Sequence, residues 1–153
     1  MKKITTKILL ILMLGIFQIQ DAMAACPVPI LTGASTSGNA RAPMGNFRFI
    51  RGHYIITAAE MSAAGFGTGP ITSIQWSLST AQSISVTGDL SIYFENTADV
   101  SNTKGTNWAT AISTMTNSRP ASTFTIPGTP TTTYIAPITT PFNYTGGGLY
   151  VAY

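Results

Sequence analysis

Residues able to do acid–base or nucleophilic chemistry are few in this chain. After residue 24 it carries a single histidine, a single cysteine and four carboxylates: His53, Cys26, Glu60, Asp89, Glu95 and Asp99. A glycosidase needs two carboxyl groups about 5 to 10 Å apart. Asp89 and Glu95 are six residues apart, which is roughly 20 Å along a strand. The spacing therefore does not predict a hydrolytic carboxylate pair.

Two glycine-containing stretches also lack the context that catalysis requires. The stretch 33–38, GASTSG, does not have the Gly-x-Ser-x-Gly spacing of a nucleophile elbow. The stretch 65–70, GFGTGP, follows a predicted helix and precedes a predicted strand, whereas a dinucleotide site runs strand, glycines, helix. A lone histidine in a strand is usually a packed or surface residue. We therefore expect no enzyme activity.

One loop has the oxygen-bearing residues that calcium prefers. The sequence 95–102, ENTADVSN, places Glu95 and Asp99 near two asparagines, and calcium accepts carboxylate and carbonyl oxygens. The EF-hand spacing is absent. Asp and Asn also serve ordinary turn chemistry, so both interpretations stand: a structural calcium site through Glu95 and Asp99, or a turn.

Tyrosines are the candidates for ligand contact. Tyr93 alternates with apolar neighbours and is predicted to face outward, and Tyr144 lies in the stretch PFNYTGGG. An exposed ring offers a stacking platform for a surface ligand or polysaccharide. The alternative is that these rings pack inside the domain.

The first 24 residues read as a signal peptide. Three lysines precede an apolar run from residue 8 to 19, and Ala22-Met23-Ala24 has the small-x-small pattern of a cleavage site. The run is short for the roughly 30 Å bilayer core. The predicted location is extracellular or at the cell surface.

Cys26 suggests a second hypothesis, that a lipid attaches the chain to a membrane. Met23-Ala24-Ala25-Cys26 is similar to a lipobox, in which the cysteine is acylated. The alternatives are a near-terminal cysteine without a role, or one that pairs outside this sequence. One Cys and one His do not make a metal cluster.

Charge argues against nucleic-acid partners. The whole chain has formal charge +3, but the part after residue 24 has five basic and four acidic residues, 5 − 4 = +1. Binding duplex DNA needs several phosphate contacts at once. We therefore expect no nucleic acid, and a membrane contact only through a lipid on Cys26.

Composition and pattern predict an all-β fold. Charged residues make up 8% of the chain and hydrophobic residues 44%, with abundant Thr and Ser, and glycines and prolines recur at short intervals as in chains of strands and turns. Residues 71–79 and 90–95 alternate well between two faces, with Thr72, Ile74 and Trp76 on one face and Leu90, Ile92 and Phe94 inward. The prediction is a β-sandwich or jelly-roll-like domain.

Two short helices are predicted between the strands. Thr57 and Glu60 fit a capping box, and Ile56 and Met61 fit a hydrophobic staple. Gly65 is a typical helix stop. Together these signals predict a helix over Ala58–Ala64. Such a short helix must be held by a sheet, as a plug at one end of the sandwich. A second apolar stripe predicts a helix over Trp108–Met115, although its threonines favour a strand.

These elements predict three segments: a signal peptide over 1–24, an irregular leader over 25–46 and a β-sandwich domain over 47–153. The final strand, LYVAY, has no polar residues after it. Chain ends are usually frayed and polar, so we expect the open reading frame to be truncated.

The stretches 54–79, 88–116 and 140–153 together resemble a β-sandwich module of secreted Bacteroidetes surface proteins, many of them type IX secretion cargo. Three motifs carry the resemblance. The first is TAAEM, followed by AG and then by ITSI. The second is a central Trp together with the pair MT, and the third is PFNYTGGGLYVA. The resemblance implies secretion or surface display beside other modules and a C-terminal sorting domain, which this sequence does not contain.

The sequence thus predicts a noncatalytic secreted or cell-surface module for adhesion, scaffolding or ligand binding. One alternative is an accessory, carbohydrate-binding domain of a larger secreted hydrolase. Another is a lipid-anchored surface binding protein.

Overall fold

The computed structural model describes residues 43, 49–78, 80–81, 83–130 and 133–153. The predicted signal peptide, Cys26 and all of the predicted leader except Pro43 lie outside these residues. Those predictions, and the predicted segment boundaries, therefore stay predictions.

In the described part of the chain, six antiparallel strands form two sheets. The strands are β1 (His53–Ile56), β2 (Gly69–Ser77), β3 (Val86–Thr97), β4 (Thr116–Ile126), β5 (Thr133–Tyr144) and β6 (Gly148–Ala152). The first sheet, in order β1-β6-β3-β4, lies against the second, β2-β5. The prediction of an all-β, sandwich-like fold is confirmed.

The core lies between the two sheets. The four-stranded sheet contributes Ile92, Phe94 and Val151, and the two-stranded sheet contributes Trp76 and Phe142. Phe94 and Phe142 meet across the layers with ring centroids 5.5 Å apart. The predicted inward face of β3 is thus correct, because strict alternation places residues 90, 92 and 94 on one side of the strand.

β6 is buried on both faces. Leu149, Val151 and Tyr153 face the main core, as their alternation predicts, while Tyr150 and Ala152 belong to a second apolar cluster on the other side. The connection between β3 and β4 covers that side with the helix α2 (Trp108–Ile112). The four-stranded sheet is therefore the middle of three layers, which explains why the whole of β6 is apolar.

One predicted side-chain direction is wrong. Thr72 is exposed and Ile71 is buried instead. The register shifts between the pairs Ile71–Phe142 and Ser73–Pro137, where β5 contains extra residues. This bulge reverses the alternation of β2, so that Ile71 and Trp76 both reach the core.

The helix α1 (Ala58–Ala63) has the predicted caps. The Thr57 hydroxyl accepts from the Glu60 N–H at 3.2 Å, and the Glu60 carboxylate accepts from the Thr57 N–H at 2.8 Å. Met61 is buried in the core, and Gly65 follows the helix with φ +71°. α2 also forms where predicted, but it ends at Ile112 rather than Met115, since β4 begins at Thr116. Among the described residues no helix is long and apolar enough to span a membrane.

Thr57→Ala is expected to lower the free energy of unfolding by about 1 kcal/mol, because it removes the acceptor of one helix N–H and the partner of Glu60. Ser62→Ala, on the exposed side of the same helix, is the matched control and should change stability little. Urea denaturation of both variants measures the difference. Equal stability of the two variants would show that the capping box contributes nothing.

Candidate functional site

The outer face of the four-stranded sheet brings together His53, Glu95, Asp99 and Lys104. Two cross-strand rows define it: His53, Ala152 and Tyr93 in one, Ile55, Tyr150 and Glu95 in the next. Opposite residues of antiparallel strands share a face. The loop 98–107 and α2 lie over these rows, so we call this region the outer-face cluster: His53, Tyr93, Glu95, Asp99, Asn102, Thr103, Lys104, Trp108 and Tyr150.

Glu95 is held by two donors from the covering connection. The Lys104 ammonium lies 2.8 Å from its carboxylate, and the Thr114 hydroxyl donates to the same oxygen at 2.7 Å. Lys104 also donates to Thr114 at 3.1 Å and lies 4.8 Å from the centre of the Tyr150 ring. This arrangement holds the loop and the turn before β4 against the inner strand β3.

Asp99 is held by two hydroxyls. Tyr150 donates to its carboxylate at 2.7 Å and Thr103 at 2.8 Å. The Tyr150 hydrogen bond, followed by that of Thr103, holds the pKa of the Asp99 carboxyl below its usual 3.8, because both favour the ionised form. The Tyr150 oxygen also accepts from the Thr103 N–H at 3.0 Å.

The two candidate calcium ligands therefore have protein partners of their own. Glu95 faces a lysine, and Asp99 faces a tyrosine and a threonine. Within the described residues no group of three or more His, Cys, Asp or Glu side chains is placed to hold a metal. The geometry favours the turn interpretation of the 95–102 segment, with Thr97 accepting from the Asp99 N–H at 3.0 Å.

His53 is likewise engaged by the loop. One ring nitrogen, Nε2, lies 2.8 Å from the Gly105 carbonyl oxygen, and the other, Nδ1, lies 3.1 Å from the Asn102 amide nitrogen. The Asn102 side-chain oxygen accepts from the Lys104 N–H at 3.1 Å. This orients the amide so that its nitrogen donates to Nδ1, which leaves Nε2 as the protonated nitrogen that donates to Gly105. His53 thus fastens the loop to the edge strand β1.

Tyr93 faces outward, as predicted, and is half-buried. Its ring meets Trp108 edge to face, with centroids 6.2 Å apart. The Arg51 guanidinium lies 5.8 Å from the centre of the Trp108 ring. Two aromatic rings and one cation therefore adjoin on the surface of the outer layer, and we call them the aromatic patch: Arg51, Tyr93 and Trp108.

Tyr144 is not a surface platform. Its side chain is 2% exposed, it contacts Phe66 edge to face, and its hydroxyl donates to the Gly147 carbonyl. The residue shares the inward face of β5 with Phe142, two positions earlier. That spacing is visible in the sequence and would have placed Tyr144 in the core.

The sequence pattern did not indicate Lys104 or Arg119 as site residues, and it gave no partner for Tyr150. Tyr150 and Lys104 make their contacts with residues distant in the chain. Arg119 faces the opposite sheet: it is 5% exposed, donates to the carbonyls of Pro137 and Thr123 at 3.0 and 3.2 Å, and lies 5.6 Å from the Phe124 ring centre. It joins β4 to β5, and nothing local in the sequence indicates this.

No protein-family model, curated protein or solved structure matches this chain. The functional argument therefore depends on the contacts described above.

Proposed function

We propose that this chain is a noncatalytic β-sandwich module, secreted or displayed at the cell surface, that binds a ligand through the aromatic patch. The supporting observation is that the ionisable side chains and the aromatic rings of the outer face make different kinds of contact. His53 and Glu95 bond to the 98–114 connection, and Asp99 within that connection bonds to Tyr150 of β6. The aromatic patch, in contrast, presents half-buried rings beside an exposed arginine.

The ligand class follows from the chemistry of the patch. Half-exposed aromatic rings favour the apolar face of a flat ligand, and a guanidinium offers several donors to oxygen acceptors. A carbohydrate chain has both features, since its C–H faces pack on rings and its hydroxyls accept from arginine. The rigid sheet beneath Tyr93 fixes the patch in place, which reduces the entropic cost of binding.

Export is part of the same proposal. The lysine-rich start, the apolar run and the Ala-Met-Ala pattern support signal-peptide cleavage after Ala24. Protein sequencing of the mature chain should find Ala25 or Cys26 as its first residue. Radiolabelled palmitate tests the lipid anchor, and labelling that disappears in Cys26→Ser would support it.

Retention of the mature chain on insoluble cellulose, chitin and starch, and on a glycan array, tests the ligand class. We expect Trp108→Ala and Arg51→Ala each to weaken binding by about tenfold. Thr110→Ala is the matched control, because Thr110 is exposed on the same helix as Trp108. Binding unchanged in both patch variants, or no glycan retained, contradicts the proposal. Release of reducing ends from a bound glycan contradicts the noncatalytic part of it.

A further inference from the structure

Arg51 is a cation of the outer face that has no carboxylate partner within the described part of the chain. Its side chain is exposed, and its guanidinium carbon lies 5.8 Å from the centre of the Trp108 ring. Lys104 on the same face differs, because its ammonium lies 2.8 Å from the Glu95 carboxylate. Attraction to an aromatic ring is not a hydrogen bond, so the planar N–H donors of Arg51 stay available to a ligand.

The remaining carboxylates of the described chain are engaged or distant. Asp99 accepts from two hydroxyls of the outer-face cluster, and Glu60 accepts from the backbone at the start of α1. Asp89 precedes Tyr93 by four residues on β3, which is roughly 13 Å along the strand. The unpaired positive charge beside the two rings therefore belongs to Arg51, and it is complementary to a negative charge on the ligand.

We propose that the ligand of the aromatic patch is an acidic glycan, and that Arg51 binds the carboxylate of a uronic acid residue in it. This inference rests on the proposed function, because it names the class of carbohydrate that the same patch would take. Guanidinium and carboxylate are planar groups that match through two parallel hydrogen bonds. In a uronic acid the carboxylate is bonded directly to the sugar ring, so a ring packed against Trp108 brings it beside Arg51.

The composition of the patch distinguishes this ligand from other anions. The part of the chain after residue 24 has a net charge of only 5 − 4 = +1, so general attraction of polyanions is weak. An acidic peptide offers carboxylates, but it has no flat C–H face of a sugar ring to pack on Tyr93 and Trp108. Recognition that uses both the rings and Arg51 therefore favours the glycan.

Isothermal titration calorimetry with hexagalacturonate and with its methyl ester tests the inference, because the two oligosaccharides differ only in the charge of the carboxyl groups. At low ionic strength we expect the mature chain to bind hexagalacturonate about tenfold more tightly than the ester. Added salt should reduce this preference, and Arg51→Gln should abolish it. Thr110→Gln is the matched control, since it places the same side chain at an exposed position of α2 and should keep the preference.

Equal affinity for the two oligosaccharides overturns the inference, and so does a preference that survives in Arg51→Gln or is lost in Thr110→Gln. Retention of neutral glycans alone on the array overturns this inference and leaves the proposed function standing, whereas failure to retain any glycan overturns both. Polyglutamate is the peptide probe. If it binds as tightly as hexagalacturonate and also requires Arg51, the sugar ring is not recognised and the inference is wrong.

Discussion

Phe94→Ala is expected to lower the free energy of unfolding by about 3–5 kcal/mol. Phe94 is 1% exposed on the central strand β3, and its ring meets Phe142 of the opposite sheet. Alanine removes most of the side chain and leaves a cavity between two sheets that cannot close fully around it. Total stabilities of single domains are about 5–15 kcal/mol, so this one change removes a large share. Urea denaturation of the mature chain measures it.

Val100→Ala is the matched control for that variant. Val100 is 85% exposed in the loop over the outer face, so its truncation should change stability by less than about 0.5 kcal/mol. Similar losses in the two variants would mean that the two sheets do not enclose a common core.

Tyr150→Phe is expected to cost about 0.5–1.5 kcal/mol, because it removes the hydrogen bonds that the buried Tyr150 hydroxyl makes with the Thr103 N–H and the Asp99 carboxylate. The ring remains, so packing in the second apolar cluster is kept. The variant therefore isolates the hydroxyl, and thermal unfolding compared with the wild type measures its contribution.

The pH dependence of this effect has a definite sign. The pKa of Asp99 is lower in the folded chain than its usual 3.8, first through Tyr150 and then through Thr103. A carboxyl with a lowered pKa adds stability above its unfolded pKa, and that stability is lost as pH falls through the folded value. Wild-type stability should thus fall below about pH 4, and Tyr150→Phe should show a smaller fall. Parallel pH profiles for the two proteins would contradict this assignment.

Sequence patterns correctly predicted the elements whose structure depends on residues close together in the chain. The capping box of α1 involves residues three apart, and the inward face of β3 follows from alternation alone. The direction of Thr72 could not be predicted in this way. It depends on the bulge in β5, about 70 residues later, which reverses the face of β2.

The contacts of the outer-face cluster could not be predicted from local patterns either. The sequence indicated Glu95 and Asp99 as oxygen ligands, but their partners depend on topology. Tyr150 reaches Asp99 only because β6 inserts between β1 and β3, 51 residues away in sequence. The apolar stripe that begins at Trp108 predicted a helix. The contacts of Trp108 with Tyr93 and Arg51, however, depend on the three-layer arrangement.

The central claim is that the polar residues of the outer-face cluster hold the 98–107 loop against the sheet. Amide hydrogen exchange of the mature chain, wild type beside Tyr150→Phe, tests it most directly. We expect protection of the Asp99, Thr103 and Lys104 amides in the wild type, since each has an acceptor. Protection of Thr103 should be lost in the variant while β3 and β6 stay protected. Free exchange of these amides in the wild type, or protection of Thr103 unaltered by Tyr150→Phe, would contradict the account.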